Sequence, residues 1–260
     1  MRHLALWLGL LIQCIPTAHA APFRVMLDPG HGGEVNKGAP ARMRPGTFEK
    51  TYALQLAKMV RKALKARGIE AILTRESDIE IGLRERVLIA NRSKADLFLS
   101  LHLNSTEKPG PQGHATFFLA REASDEATRK LVAFENDEAG TLSSKSDATP
   151  KGIAVREILL DLTRQRAQDD SRRLAELIQA RMTQASPYPN RGVKQAPFGV
   201  LKGTAMPAVV CEIGFINHDK EGLYITSEEG LQAIAEAIAI AAEDYRILIH
   251  GLRNQQEKKN

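Results

Sequence analysis

Cysteine is almost absent from this 260-residue chain, which holds two, Cys14 and Cys211. Cys14 lies in an N-terminal segment with the marks of a cleaved signal, so the remainder has one thiol and no internal disulfide. Its stability must come from packing. Tryptophan occurs once, as Trp7, and aromatics make up 5% of residues, which weakens any reading as a module that stacks sugar rings. The apolar stretch Leu4–Leu11 is well short of the ~20 residues that span a bilayer. There is no GxxxxGK[ST], and Gly30-His31-Gly32-Gly33 lacks the GxGxxG spacing, so no phosphate-cradling loop is indicated. No GxSxG elbow supports a serine hydrolase. Internal repeats and Ser- or Pro-rich linkers are missing too.

Residues 1–20 combine the early Arg2, the apolar stretch and the small-x-small ending Ala18-His19-Ala20. That layout predicts a secretory signal peptide cleaved after Ala20, with export to the periplasm or the extracellular wall. Gln13 stands where a lipid-attachment signal at Cys14 would need a small residue. Residues 21–260 are then one domain. The formal net charge of +5 falls to +4 when Arg2 is removed. So mild an excess suits anionic surroundings such as wall polymers, but the basic residues are scattered over helical faces and indicate no nucleic-acid partner.

Short apolar runs alternate with helical patterns. Strands are expected at 24–27, 69–73, 97–102, 113–119, 199–202 and 208–215, and helices at 49–67, 83–91, 124–134, 153–184 and 228–249. In the first helix Ala53, Leu56, Ala57, Val60 and Leu64 share one face, and Gly68 stops it. This alternation predicts a single α/β domain, a twisted, mostly parallel sheet flanked by helices on both faces. Residues 34–48 and 135–152 read as loops, the second polar, small and on the surface.

The chemistry gathers at strand ends. Period-two alternation in Leu97–Asn104 puts Phe98, Ser100, His102 and Asn104 on one face and four leucines on the other. In Ala208–Phe215 the same rule separates Glu212 from Cys211. A glutamate inside so apolar a strand costs heavily without a partner or a task, and a structural ion pair is the competing account. His31 follows Asp28-Pro29-Gly30 at another strand end, where open α/β sheets build their sites. Two imidazoles with the carboxylate of Glu49 form a ligand set for one catalytic zinc with an open position, and Glu212 completes it as general base. Asn104 is open between positioning substrate and ending a strand. Isolated His114, His218 and His250 read as structural.

The stretches VMLDPGHGG (25–33), FEKTYALQLAKMV (48–60), ILTRESD (72–78), LRERVLIAN (83–91), ADLFLSLHLNS (95–105) and the run 192–218 resemble the zinc-dependent N-acetylmuramoyl-L-alanine amidases of bacterial cell-wall turnover. The resemblance implies His31, Glu49 and His102 as ligands of one zinc per chain and Glu212 as the catalytic glutamate. Its implied substrate is peptidoglycan, cut between N-acetylmuramic acid and L-alanine. A protein activator is compatible with it, and a monomer is expected. Some relatives carry, between the strand that follows the second histidine ligand and the next helix, a helix that blocks the zinc; here the corresponding region is about 121–152, with Glu135 the leading candidate beside Asp137 and Glu138. Two other readings stay open, a zinc peptidase acting within the stem peptide and a non-catalytic wall-binding or activator protein of the same fold.

Overall fold

In the computed structural model the described residues are 22–108, 110–137 and 154–257, with no account of side chains at 154–166 or 253–257. The segment 1–20 therefore lies outside them, as do residues 138–152 of the expected surface loop. Six strands, β1 (Arg24–Pro29), β2 (Glu70–Leu73), β3 (Leu97–Asn104), β4 (His114–Leu119), β5 (Asn190–Ala196) and β6 (Ala208–Phe215), form one sheet in the order β2-β1-β3-β6-β4-β5. β2, β1, β3 and β6 pair in parallel. β4 runs antiparallel to β6 and parallel to β5. The sheet is thus mostly parallel, as expected.

Helices cover both faces: α1 (Glu49–Ala66), α2 (Leu83–Ser93), α3 (Glu126–Asn136), α4 (Ala154–Ala185), α5 (Asp219–Ile225) and α6 (Glu228–Glu257). One core joins α1, α4 and α6 to Leu97, Leu99, Leu101 and Leu103, together with Val209, Cys211 and Ile213. The other joins α2 and α3 to Met26, Phe98, Phe117 and Val210. Period-two alternation separates the two cores along the same strands, and strands buried on both faces read as near-continuous apolar runs. None of the described helices is long and apolar enough to cross a membrane.

Helix ends follow local chemistry. Asp125 caps α3 by accepting the Thr128 N–H at 2.8 Å, and Lys194 and Thr128 hold its carboxyl down at about 2. The ring of His218 caps α5, accepting from the Glu221 N–H at 3.1 Å. Such side-chain caps satisfy orphan N–H groups of a first turn.

Three local expectations need correction. Gly199–Leu201 is a 3-10 turn rather than a strand. Phe198 and Val200 are buried there against the α2–α3 side, so a short apolar stretch packs without pairing. β5 was not expected, because NRGVKQA is a half-exposed edge strand without alternation. Residue 135 belongs to the last turn of α3, and Glu135 is buried rather than on the surface.

A polar knot lies inside the sheet. Asp28, fully buried, accepts from Thr74 Oγ1 (2.6 Å), Ser100 Oγ (2.8 Å) and Arg86 Nη1 (2.8 Å). Removing one partner of a buried pair leaves the other charge uncompensated, at a cost of about 3–5 kcal/mol. Asp28→Ala is therefore expected to lower unfolding free energy by about that much, measured by urea titration; a change near zero would show that the arginine finds other compensation.

Candidate metal centre

His31 lies two residues beyond the end of β1, Glu49 opens α1, His102 is near the end of β3, and Glu135 is in the last turn of α3. Their side chains meet in the interior. One ligand atom from each of the four lies within 4.8 Å of every other, and all four residues are buried. Glu212 on β6 pairs in register with His102 on β3. The fold thus brings His31, Glu49, His102 and Glu212 together, and Glu135, the leading candidate of the region 121–152, joins them.

The turn that carries His31 departs from ordinary backbone. His31 has φ of 56°, and Gly32 and Gly33 also have positive φ. Left-handed backbone costs a β-carbon-bearing residue energy, so the surroundings must enforce it. Arg86 Nη2 donates to the His31 carbonyl at 2.7 Å and Nη1 to that of Pro29 at 2.7 Å. Arg75 donates to the carbonyls of Pro29, Gly30 and Lys50. On the outer side Asp78 accepts the Gly33 N–H, while the Lys50 ammonium bridges Asp78 and the Gly33 carbonyl. None of these clamps was read from the sequence. The available signal was Arg86 within the buried stripe of Leu83, Val87 and Ala90.

Glu49 is held at both oxygens. Oε1 accepts the Leu103 N–H at 2.9 Å and lies 3.1 Å from His102 Nδ1. Oε2 accepts the Ala39 N–H at 3.1 Å and lies 3.0 Å from His31 Nε2. Burial alone would raise this carboxyl, but the imidazoles of His31 and His102 outweigh it and keep it well below the usual range. Its place at a helix N-terminus also favours the anion. Residues 34–48 are bonded into the structure here, rather than loose, through the Glu49 contact with Ala39 and bridges Gly32–Asn36 and Pro40–Phe48.

Glu135 Oε2 is 3.0 Å from His102 Nδ1 and 3.6 Å from His31 Nε2. Among the described residues, that oxygen has no hydrogen-bond partner despite its closeness, and neither oxygen of Glu212 has one. Burial foremost, then the negative charges of Glu135 and Glu49, push the Glu212 carboxyl well above its ordinary range. For His102, burial opposes the charged form, but Glu135 and Glu49 prevail and raise it. Two nitrogens and several carboxylate oxygens facing one point, some lacking hydrogen-bond donors, fit a divalent cation of the zinc class by donor type.

Neighbouring groups leave the cluster little room. A β-carbon on Gly30 would come within 2.5 Å of His102 Cε1, and one on Gly38 within 2.6 Å of His31 Cδ2. Next along the chain from Glu135, Asn136 ties the end of α3 to the 3-10 turn. Its Oδ1 accepts the Gly199 N–H at 2.7 Å and its Nδ2 donates to the Pro197 carbonyl at 3.2 Å. Asn104 ends β3 half-buried, its carbonyl accepting the Ile216 N–H at 2.8 Å. His114 and His218 take no part in the cluster: His114 Nδ1 bonds Gln179, and His218 caps α5.

Residues 25–244 match a protein family described as N-acetylmuramoyl-L-alanine amidase. The chain is 34% identical to N-acetylmuramoyl-L-alanine amidase AmiA of Escherichia coli, over 89% of this chain and 78% of that protein. Among solved structures it resembles N-acetylmuramoyl-L-alanine amidase AmiC2 of Nostoc punctiforme, with TM-score 0.63 and 27% identity, covering 86% of this chain and 96% of that one. A Clostridium difficile N-acetylmuramoyl-L-alanine amidase is comparable, with TM-score 0.64 and 25% identity over 87% and 97% of the two chains.

Gly30 supplies a test of the packing. Because the His102 ring occupies the space of a β-carbon, Gly30→Ala must displace that ring or the turn. Overpacking of this kind typically costs about 1–3 kcal/mol. The variant is expected to fold with a lower thermal midpoint and a shifted His102 ring resonance. An unmoved ring with wild-type stability would contradict the tight fit.

Proposed function

The chain belongs to the N-acetylmuramoyl-L-alanine amidase family, and we propose that it hydrolyses the amide between the lactyl group of N-acetylmuramic acid and the L-alanine of peptidoglycan stem peptides. In this reading His31, Glu49 and His102 hold one zinc ion per chain and Glu212 is the catalytic base. The observation that carries it is the buried convergence of these donors beside a glutamate whose two oxygens have no hydrogen-bond donor among the described residues.

Zinc at such a site polarises a carbonyl and lowers the pKa of water to ~7. Glu212 accepts a proton from the attacking water at its carboxylate as the water oxygen bonds to the lactyl carbonyl carbon. It then delivers that proton to the amide nitrogen as the carbon–nitrogen bond breaks. The products are a lactyl carboxylate and the free amino group of L-alanine. Burial raises the Glu212 carboxyl, and a cation bound nearby would favour the carboxylate form that takes the proton. Glu49 is fixed by two backbone N–H groups, which hold its carboxylate toward both imidazoles.

We also read residues 1–20 as the export signal and 21–260 as the catalytic domain, acting in the periplasm or at the outer wall. An exported wall hydrolase needs restraint, and Glu135 is the group to supply it: its carboxylate is a fourth donor within the cluster, 3.0 Å from His102 Nδ1, and would take the open position on a bound zinc. Release of α3 by a protein partner or by substrate then shifts the population toward the open form.

Digestion of purified peptidoglycan, with and without chelator, followed by mass analysis of the products tests the activity. Intact stem peptides bearing a free L-alanine amine are expected, and release should stop on chelation. Fragments cut within the stem would identify a peptidase instead. Glu212→Gln should keep zinc while lowering turnover by roughly 10²-fold or more, the scale of general acid–base catalysis; a variant with near-normal turnover would make Glu212 structural.

The restraint has a separate test. Glu135→Ala should raise basal activity. So should Asn136→Ala, which loosens α3 without touching the cluster: two hydrogen bonds at ~1 kcal/mol each predict a rise of up to roughly thirtyfold. Unchanged basal activity in both variants would end the self-inhibition reading.

A further inference from the structure

The two nitrogens of His31 face opposite environments. Nε2 points into the cluster, 3.0 Å from Glu49 Oε2. Nδ1 points away from it and lies 2.8 Å from Asn36 Oδ1. The same asparagine is tied to the turn a second time, since its carbonyl accepts the Gly32 N–H at 2.8 Å. The chain then passes so close over the ring that Gly38, at φ 68°, leaves no space for a β-carbon against His31. Asn36 is therefore bound to the backbone beside His31 and to its ring at once.

A neutral imidazole has one N–H and one lone pair, and the partner of one nitrogen decides which is which. An amide oxygen can only accept, so the Asn36 contact puts the ring proton on Nδ1 and leaves the Nε2 lone pair facing the cluster. His102 presents the other nitrogen, Nδ1, to the same place, so the two histidines require opposite tautomers. Nothing about a histidine by itself makes that choice.

We propose that Asn36 is a positioning residue for the metal: by accepting from His31 Nδ1 it fixes the tautomer and ring angle in which Nε2 can serve as a ligand. The inference rests on reading His31 as a zinc ligand and goes beyond it by assigning a residue outside the ligand set. Partners that hold a metal-bound histidine by its second nitrogen typically affect metal affinity or activity by 10–100-fold. Asn36 is half-buried in a loop, so substituting it leaves both cores intact.

Zinc affinity, measured by competition with a chromophoric chelator, is the readout, alongside the unfolding midpoint of the metal-free protein. Asn36→Ala is expected to weaken zinc binding by about 10–100-fold while leaving the metal-free midpoint near wild type. Asn36→Asp, whose carboxylate can only accept, is expected to restore wild-type affinity. Should Asn36→Ala fold poorly, Asn36→Leu against Asn36→Asp carries the same comparison, one side chain without an acceptor and one with it. Wild-type affinity in Asn36→Ala with a lowered metal-free midpoint would make Asn36 a loop-folding residue and overturn the inference. An Asn36→Asp protein as weak as Asn36→Ala or Asn36→Leu would overturn it too. If the wild-type chain binds no zinc, the ligand reading and this inference fall together; wild-type zinc binding with equal affinity in Asn36→Ala sinks this inference alone.

Discussion

Two guanidinium groups under a single turn hold the geometry of the site. A turn with left-handed backbone at His31 directs carbonyls inward, where no strand can bond them, and buried carbonyls without donors are costly. Arg75 and Arg86 satisfy those of Pro29, Gly30, His31 and Lys50. Only arginine offers five donors in a planar fork able to reach several carbonyls together. Asp28 compensates the charge of Arg86 and in doing so ties β1 to β3 through Ser100. The His31 backbone is thus fixed before its ring is considered.

The second constraint is electrostatic. Glu49, Glu135 and Glu212 are all buried in one region with two imidazoles, and like charges in low dielectric repel strongly. The three carboxylates respond differently because their partners differ. Glu49, with two backbone donors and two imidazoles, stays anionic, whereas burial raises Glu212, which has no hydrogen-bond partner among the described residues. A divalent cation would reconcile such a concentration of carboxylates, and the fixed anion and the raised carboxyl differ in what they can offer it.

Much of this was legible in the sequence wherever periodicity was strict. Alternation along Leu97–Asn104 and Ala208–Phe215 separated His102 and Glu212 from the leucine and cysteine faces, and parallel pairing of β3 with β6 set the two side by side. The stripe of α1 and the turn before His31 were equally plain. Legibility failed where tertiary contacts decide. The stretch Gly199–Leu201 looked like a strand but is wound into a turn held by Asn136. β5 is polar because one edge meets solvent, and seven-residue α5 is too short to show a period. Asn36 and the buried arginines carry no pattern of their own; their roles exist only once β1, α1 and α2 have been brought together. Glu135 could be suggested from the sequence, but its burial could not.

Cys211 owes its chemical character to facing away from the site. It sits beside Glu212 in the chain but points into the opposite core, and burial, with the nearby Glu212 charge, pushes its thiol up to about 12. Thiolate is the reactive species, so this sulfur is almost inert at neutral pH. The described part of the chain is consequently a silent background for sulfur-directed chemistry. A cysteine introduced on the exposed side of α3, for instance at Lys130, would take a maleimide dye or a nitroxide in preference to Cys211. In protein that lacks residues 1–20, and with them Cys14, the position of that helix could then be followed in solution by fluorescence or electron spin resonance without first replacing Cys211.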